Sequence, residues 1–314
     1  MTDRKGKAPK YMPRFLRRLA KHIHLMIAGH IFNWPWRSRL ERRKVRYKAT
    51  QNSAFRYLRY YIPAIEAIQP SSISSASEPE RAFTIWFQGE DNAPEIVKSC
   101  IRSMRRNLMQ EVVVLDENSL FDWINLPQYI IDKWKSGKMR AAHFCDICRV
   151  ELLYRHGGIW LDSTDYVSSP VPQWIMDEDF FIYMSGEKIR GAYSFIQNCF
   201  FRARKGNPLL GVWRDAIFKY WEEENSVINY FTHQLLFKLC VENNAVAAEN
   251  FAKMPKEVQD PTHTLWDSHK DDVFDEAKFN ELVAGAFFQK TNYKTMSAKT
   301  PVAGTIADYI INVK

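Results

Sequence analysis

A chain of 314 residues with 46% hydrophobic and 14% aromatic residues has ample material for a packed core, which excludes an intrinsically disordered segment. Its formal net charge of +8 is segregated: residues 1–59 hold 17 Lys and Arg against two acids, so this stretch is +15 and the remainder 8 − 15 = −7. A basic arm leading an acidic body argues against nucleic acid as the partner.

Residues 11–31 intersperse Arg14, Arg17, Arg18 and Lys21 with Phe15, Leu16, Leu19, Ile23, Leu25, Met26 and Ile27. This is the pattern of a basic amphipathic helix. Trp34, Trp36 and a second basic cluster at 37–48 follow. Residues 11–48 are thus suited to an anionic membrane surface, with a solvated arm as the alternative. No stretch reaches the roughly 18–20 apolar residues that span a bilayer. The run at 24–36 is broken by histidines, Asn33 and Pro35 and lacks a leader's cleavage site. The five cysteines, an odd number without a disulfide-like rhythm, read as free thiols of a reducing compartment. The expected location is cytoplasmic, peripheral on the inner face of the plasma membrane.

Residues 1–68 read as the arm and the Ser- and Pro-rich stretch 69–80 as a linker. Residues 81–314 form the main domain. In it, 81–88 is an apolar, β-branched and aromatic strand, 94–107 an amphipathic helix opened by Pro94, and 111–116 a second strand, together a βαβ unit. Helical patterns return at 126–135 and at 140–156, the latter stopped by Gly157-Gly158. Strands are expected at 159–162, 180–184 and 193–202, and helices at 208–223 and 229–241. The fold class is α/β.

The window 146–164, DICRVELLYRHGGIWLDST, places polar groups where the surrounding pattern reads as core. Asp146 and Arg149 lie three apart on a helix that is apolar on most faces, so they share one face. A buried carboxylate and guanidinium are costly unless they pair with each other or with a ligand. After the Gly157-Gly158 break, a short strand delivers Asp162 to the carboxyl edge of the sheet, where open α/β sheets bind ligands. Asp162, with Ser163, Thr164 and Asp165 behind it, offers hard oxygen atoms of the kind that suit Mg²⁺ or Mn²⁺.

This window resembles the signature of the DxD-motif sugar transferases, most closely their capsular polysaccharide synthesis branch. IWFQG at 85–89, VVVLD at 112–116, the strand containing Asn198 with GNPLLGVW after it, and QKTNYK at 289–294 resemble that family's other landmarks. The resemblance covers about 80–295. It implies a GT-A-like, Rossmann-like nucleotide-diphospho-sugar transferase domain, a nucleotide-sugar donor such as a UDP-sugar, a glycan or lipid-linked oligosaccharide acceptor, and retention of anomeric configuration. It further implies that Trp86 and Gln88 line the nucleoside pocket, with Gly157, Gly158 and Asn198 around the donor. Asp146 and Arg149 hold donor hydroxyls, and Asp162 with Thr164 binds Mn²⁺ or Mg²⁺ and through it the diphosphate. Thr164 departs from the pattern, for the broader family has an acid there, and a neutral hydroxyl is the weaker ligand. Two other classes remain open: a degenerate nucleotide-sugar or glycan binder, and a nucleotidyl- or phosphotransferase of glycan assembly.

Several side chains have plainer readings. Cys145 and Cys148 lie inside the buried helix, near His143 and His156, and no second ligand pair follows, so they read as core rather than zinc or redox centres. His233, in YFTHQLLF, reads as a hydrogen-bonded core histidine, with a place at the site as the alternative. His263 and His269 flank Trp266, and one of them is a candidate late ligand of metal or diphosphate. Trp213, Trp221 and Tyr230 fall in helical patterns and read as core.

Overall fold

The computed structural model describes residues 39–71, 73, 79–186 and 194–312, the first nine of these by backbone alone, and six positions of the arm: Leu16, Leu19, Ala20, His22, Ile23 and Met26. Most of the expected 11–31 helix and half of the 69–80 linker lie outside the described residues.

Five strands make the central sheet, in the order β2 (Glu111–Leu115), β1 (Arg81–Ile85), β3 (Gly158–Leu161), β6 (Ile196–Ala203) and β5 (Phe180–Met184). β2, β1 and β3 run parallel, and β6 and β5 are antiparallel additions. In β1, Ala82 and Thr84 point to one face and Phe83 and Ile85 to the other, and all four are buried. Both faces of the sheet are therefore covered, which is why β1 reads as a continuous apolar run. A separate antiparallel pair joins β4 (Asp165–Val167) to β7 (Phe288–Lys290), with Asp165 opposite Lys290. The fold is mixed α/β.

The helix Glu95–Asn107 starts with an acid and ends on Arg105 and Arg106, matching the helix dipole. Its Ile96, Val97, Cys100, Ile101 and Met104 recur at helical spacing and are buried. Ala141–His156 packs against β1, β3 and β6 and buries every residue from His143 to Tyr154 except Cys145, so it runs through the core as its sequence predicts. Its end is set by glycine. Gly157 has φ +70° and its N–H bonds Leu153 O. Gly158 has φ +94°, and a Cβ there would stand 2.2 Å from Arg81 O. Only glycine lets β3 leave the helix this sharply and lie this close to β1.

The expected arm contributes to the core. Ala54, Tyr57, Leu58, Tyr61, Ile62 and Ile65 belong to the main apolar cluster, with the helix Arg39–Leu58 and the turn Ile62–Glu66 packed on Thr232–Asn243. The hydroxyl of Tyr57 donates to the buried carboxylate of Glu224, at the end of the helix Pro208–Glu223. Basic composition hides this periodicity, although the described basic residues of the helix, Lys48 and Arg56, are exposed. Linker residues are held as well, with Pro70 against Gly211 and Ser71 O accepting from Tyr154.

Candidate active site

At the carboxyl end of β3 the ladder continues for one bond, Asp162 N–H to Cys199 O at 2.8 Å. The chain then turns through Asp162–Asp165, closed by Asp165 N–H to Asp162 O at 2.8 Å. This fixes where the carboxylate of Asp162 points. Trp160 Nε1 donates to its Oδ1 at 3.0 Å, and Arg149 Nη1 reaches the same oxygen at 3.0 Å. On the other side, Lys290 Nζ lies 2.6 Å from Oδ2.

Arg149 links the two expected carboxylates. Its Nη2 is 3.3 Å from Asp146 Oδ1, its Nη1 also donates to Asn198 O, and its guanidinium sits 4.9 Å from the centre of the Trp160 ring. Asp146 accepts Asn198 Nδ2 at 2.9 Å, and Asn198 Oδ1 in turn accepts Gln234 Nε2 at 3.0 Å. The second oxygen of Asp146 faces His233 Nδ1 at 3.2 Å. The tautomer of His233 follows from its far side. Trp221 Nε1, a donor only, reaches His233 Nε2 at 2.9 Å, so Nδ1 carries the proton and gives it to Asp146. Burial lowers the pKa of His233 against the pull of Asp146, and the ring is neutral. His143, Asp146 and His233 cluster closely enough for a metal ion, but the Nδ1 proton already occupies the lone pair that a metal would need.

Burial alone would raise the pKa of Asp146; Arg149 and the imidazoles of His143 and His233 outweigh it and hold the carboxyl far below the usual range. Burial likewise opposes ionisation of Asp162, and Arg149 and Lys290 overcome it. A carboxyl depressed in the folded state adds stability above its unfolded pKa of about 3.9, and that stability is lost as pH falls below this value. Urea unfolding of Asp146→Asn is accordingly expected to weaken less steeply than wild type below about pH 4, by up to about 1.4 kcal/mol per pH unit. Parallel acid limbs would show that Asp146 carries no such linkage.

The structure thus brings Asp146, Arg149, Asp162 and Asn198 into one network, with Gly157 and Gly158 shaping its approach. Trp86 lies just beyond β1, which pairs with β3 at Ala82–Ile159 and Phe83–Trp160. Its ring meets Tyr293 edge-on at 5.3 Å, and its indole N–H is buried without a partner among the described residues. Gln88 is exposed. Cys148 is a core thiol, whereas Cys145 is half-buried and its Sγ accepts from Arg149 Nη2 at 3.5 Å; burial pushes Cys145 up to about 11. All five cysteines are unbridged. Trp213 and Trp221 are buried, but Tyr230 is 62% exposed, because it precedes the helix Thr232–Asn243 and lies over His143 at 5.6 Å instead of entering the core. His269 pairs with Asp272, away from the network. His263 is held down at about 4, first by burial and then by the charge of Lys290.

The expected cation ligands surround an amine. Lys290 Nζ donates to Thr164 Oγ1 at 2.7 Å and to Asp162 at 2.6 Å, and lies 3.2 Å from Asp165 Oδ1. As arranged, the place between Asp162 and Thr164 expected for Mg²⁺ or Mn²⁺ is taken by the Lys290 ammonium. The sequence reading placed Lys290 inside the QKTNYK landmark but gave it no role at the site.

Among characterised proteins, the chain is 26% identical over 173 residues to the O-glycosyltransferase braB of Annulohypoxylon truncatum, covering 50% of this chain and 41% of that one. It is 27% identical over 191 residues to the O-glycosyltransferase PaGT of Phomopsis amygdali, covering 54% and 46%. It is 26% identical over 186 residues to the glycosyltransferase afumC of Aspergillus fumigatus, covering 52% and 46%. The chain therefore spans less than half the length of these relatives. A solved structure, the PaToxG glycosyltransferase, aligns over 86% of this chain and 98% of its own at a TM-score of 0.38 and 13% identity. The family model described as capsular polysaccharide synthesis protein matches residues 36–310, a span holding the Asp146–Arg149 helix, the Asp162 turn and β7 alike. By that match the chain belongs to the capsular polysaccharide synthesis protein family.

Proposed function

We propose that the chain is a GT-A-like glycosyltransferase that moves a hexose-type sugar, with retention, from a nucleotide-diphosphate donor such as a UDP-sugar to a surface polysaccharide, lipopolysaccharide or lipid-linked oligosaccharide. One observation carries the reading: Arg149, held between Asp146 and Asp162 at the carboxyl end of β3. Asp162 keeps 25% of its side chain exposed while Asp146 and Arg149 keep 10% and 7%, so a donor approaches from the Asp162 side. Breaking the bond between the anomeric carbon and the diphosphate builds positive charge on the sugar and negative charge on the leaving group. Fixed carboxylates suit the first and a preorganised guanidinium the second. Trp86, with its free indole N–H, is placed to meet the nucleoside, and the exposed ring of Tyr230 offers a face for an acceptor sugar. The test is release of free nucleoside diphosphate from a panel of nucleotide sugars, with and without glycan acceptor. Steady release supports the transferase, donor binding without release would identify a binding protein, and pyrophosphate as product would identify a nucleotidyltransferase.

A membrane-facing arm completes this reading. Leu16, Leu19, Ile23 and Met26 are helical, spaced to share one face, and 44–64% exposed. With Arg14, Arg17, Arg18 and Lys21 interleaved, that face matches an anionic bilayer surface. The full chain is expected to co-sediment with phosphatidylserine-containing vesicles. The variant carrying Leu16→Ser, Leu19→Ser, Ile23→Ser and Met26→Ser should remain in the supernatant, and equal sedimentation of the two would remove the arm from membrane binding. Among the described residues no helix is long and apolar enough to cross a membrane.

A further inference from the structure

Lys290 puts a fixed positive charge where the motif calls for a divalent ion. An ammonium has three N–H donors, and Asp162, Thr164 and Asp165 supply oxygens at 2.6, 2.7 and 3.2 Å. The amine is placed by backbone, not by chance contact of a surface side chain. Lys290 is the ladder partner of Asp165, and the next residue is clamped to the motif twice, Thr291 N–H and Oγ1–H each donating to Thr164 O at 2.8 Å. The residues before it, Phe288 and Gln289, are fully buried, which anchors β7. The charge balance agrees. Thr164 brings no charge and Asp162 is shared with the Arg149 guanidinium, so the two acids Asp162 and Asp165 already face two fixed cations, Arg149 and Lys290. A dication added beside both the ammonium and the Arg149 guanidinium would meet two like charges at short range.

We propose that Lys290 is the resident cation of the Asp162–Thr164 motif, takes the negative charge of the departing diphosphate in place of Mg²⁺ or Mn²⁺, and lets the chain bind nucleoside diphosphate without a divalent ion. The part concerning the diphosphate rests on the transferase reading; the part concerning the cation site does not. As the bond between the anomeric carbon and the diphosphate oxygen breaks, its electron pair stays on that oxygen beside the Lys290 ammonium. The acceptor hydroxyl oxygen forms the new bond, and its proton passes to the diphosphate that leaves.

Two measurements on the full chain test this separately. In a Mn²⁺ titration followed by the electron paramagnetic resonance of the free ion, wild type is expected to take up none at the motif. Lys290→Ala should take up one ion per chain, an uptake abolished by adding Asp162→Asn. One ion per chain bound by wild type and lost in Asp162→Asn overturns the proposal, and this arm stands even if Lys290→Ala fails to fold. In calorimetry with UDP as probe, wild type is expected to bind in excess EDTA, and Lys290→Ala to bind about 10- to 100-fold more weakly, as for loss of a charged hydrogen bond. Binding by wild type only when Mn²⁺ is supplied overturns the proposal. Absence of UDP binding under every condition overturns the assignment of the diphosphate to Lys290 and counts against a UDP-sugar donor, while the Mn²⁺ titration still decides which cation the motif holds.

Discussion

Asp162→Asn is expected to lower release of nucleoside diphosphate by about 10²- to 10³-fold, the range seen when one preorganised charged group is removed from a reacting centre. The amide keeps the shape of the side chain but not its charge. Trp160 Nε1 can still donate to the remaining oxygen, whereas Arg149 and Lys290 both lose an anionic partner. Arg149 is then free to swing toward Asp146, away from the position in which it meets the leaving group. The circular dichroism spectrum should be preserved, because the backbone bonds of the turn, Asp162 N–H to Cys199 O and Asp165 N–H to Asp162 O, do not involve the substituted atoms. A rate within a factor of about three of wild type would take Asp162 out of the chemistry, since no group that stabilises a transition state is lost so cheaply.

Gly158→Ala should destabilise the chain by more than about 4 kcal/mol, enough to abolish cooperative folding in many domains of marginal stability. Two penalties coincide there. The backbone has φ +94°, and the new Cβ would sit 2.2 Å from Arg81 O and 3.0 Å from Arg81 N, both backbone atoms of the neighbouring strand. Gly137→Ala is the control: φ is +70° and nothing lies within 4 Å, so only the conformational cost of about 1–2 kcal/mol applies. Urea midpoints of the two variants separate crowding from backbone strain. Equal losses would mean that β1 and β3 can part to admit a methyl group at little cost.

The parts of the site that lie close in the chain are legible from the sequence. Asp146 and Arg149 share a face because a helix brings i and i+3 together, and Gly157-Gly158 marks the helix end and the turn into β3. The strands β1 and β2 and the helix between them follow from local pattern. What stays hidden is long-range pairing. Lys290 reaches Asp162 across 128 residues, and His233 reaches Asp146 across 87, so no periodicity in either neighbourhood announces the partner. Composition also misleads: the helix Arg39–Leu58 is rich in Arg and Lys, which masks the buried series Ala54, Tyr57, Leu58, Tyr61 and Ile65. Tyr230 shows the reverse error, an aromatic inside an apolar run that a turn sends outward.

The hydrogen bond from Tyr57 to Glu224 bears on how the protein can be cut. A recombinant piece starting at Arg81, where the central sheet begins, would strip away the phenol of Tyr57 and expose the apolar patch that Ala54, Leu58 and Ile65 now cover. Glu224 would lose the phenols of both Tyr57 and Tyr61, and the uncovered patch would favour aggregation. Soluble truncations should therefore retain everything from the start of the Arg39 helix, and a trimmed version that precipitates would report on this seam rather than on the sugar-transfer chemistry.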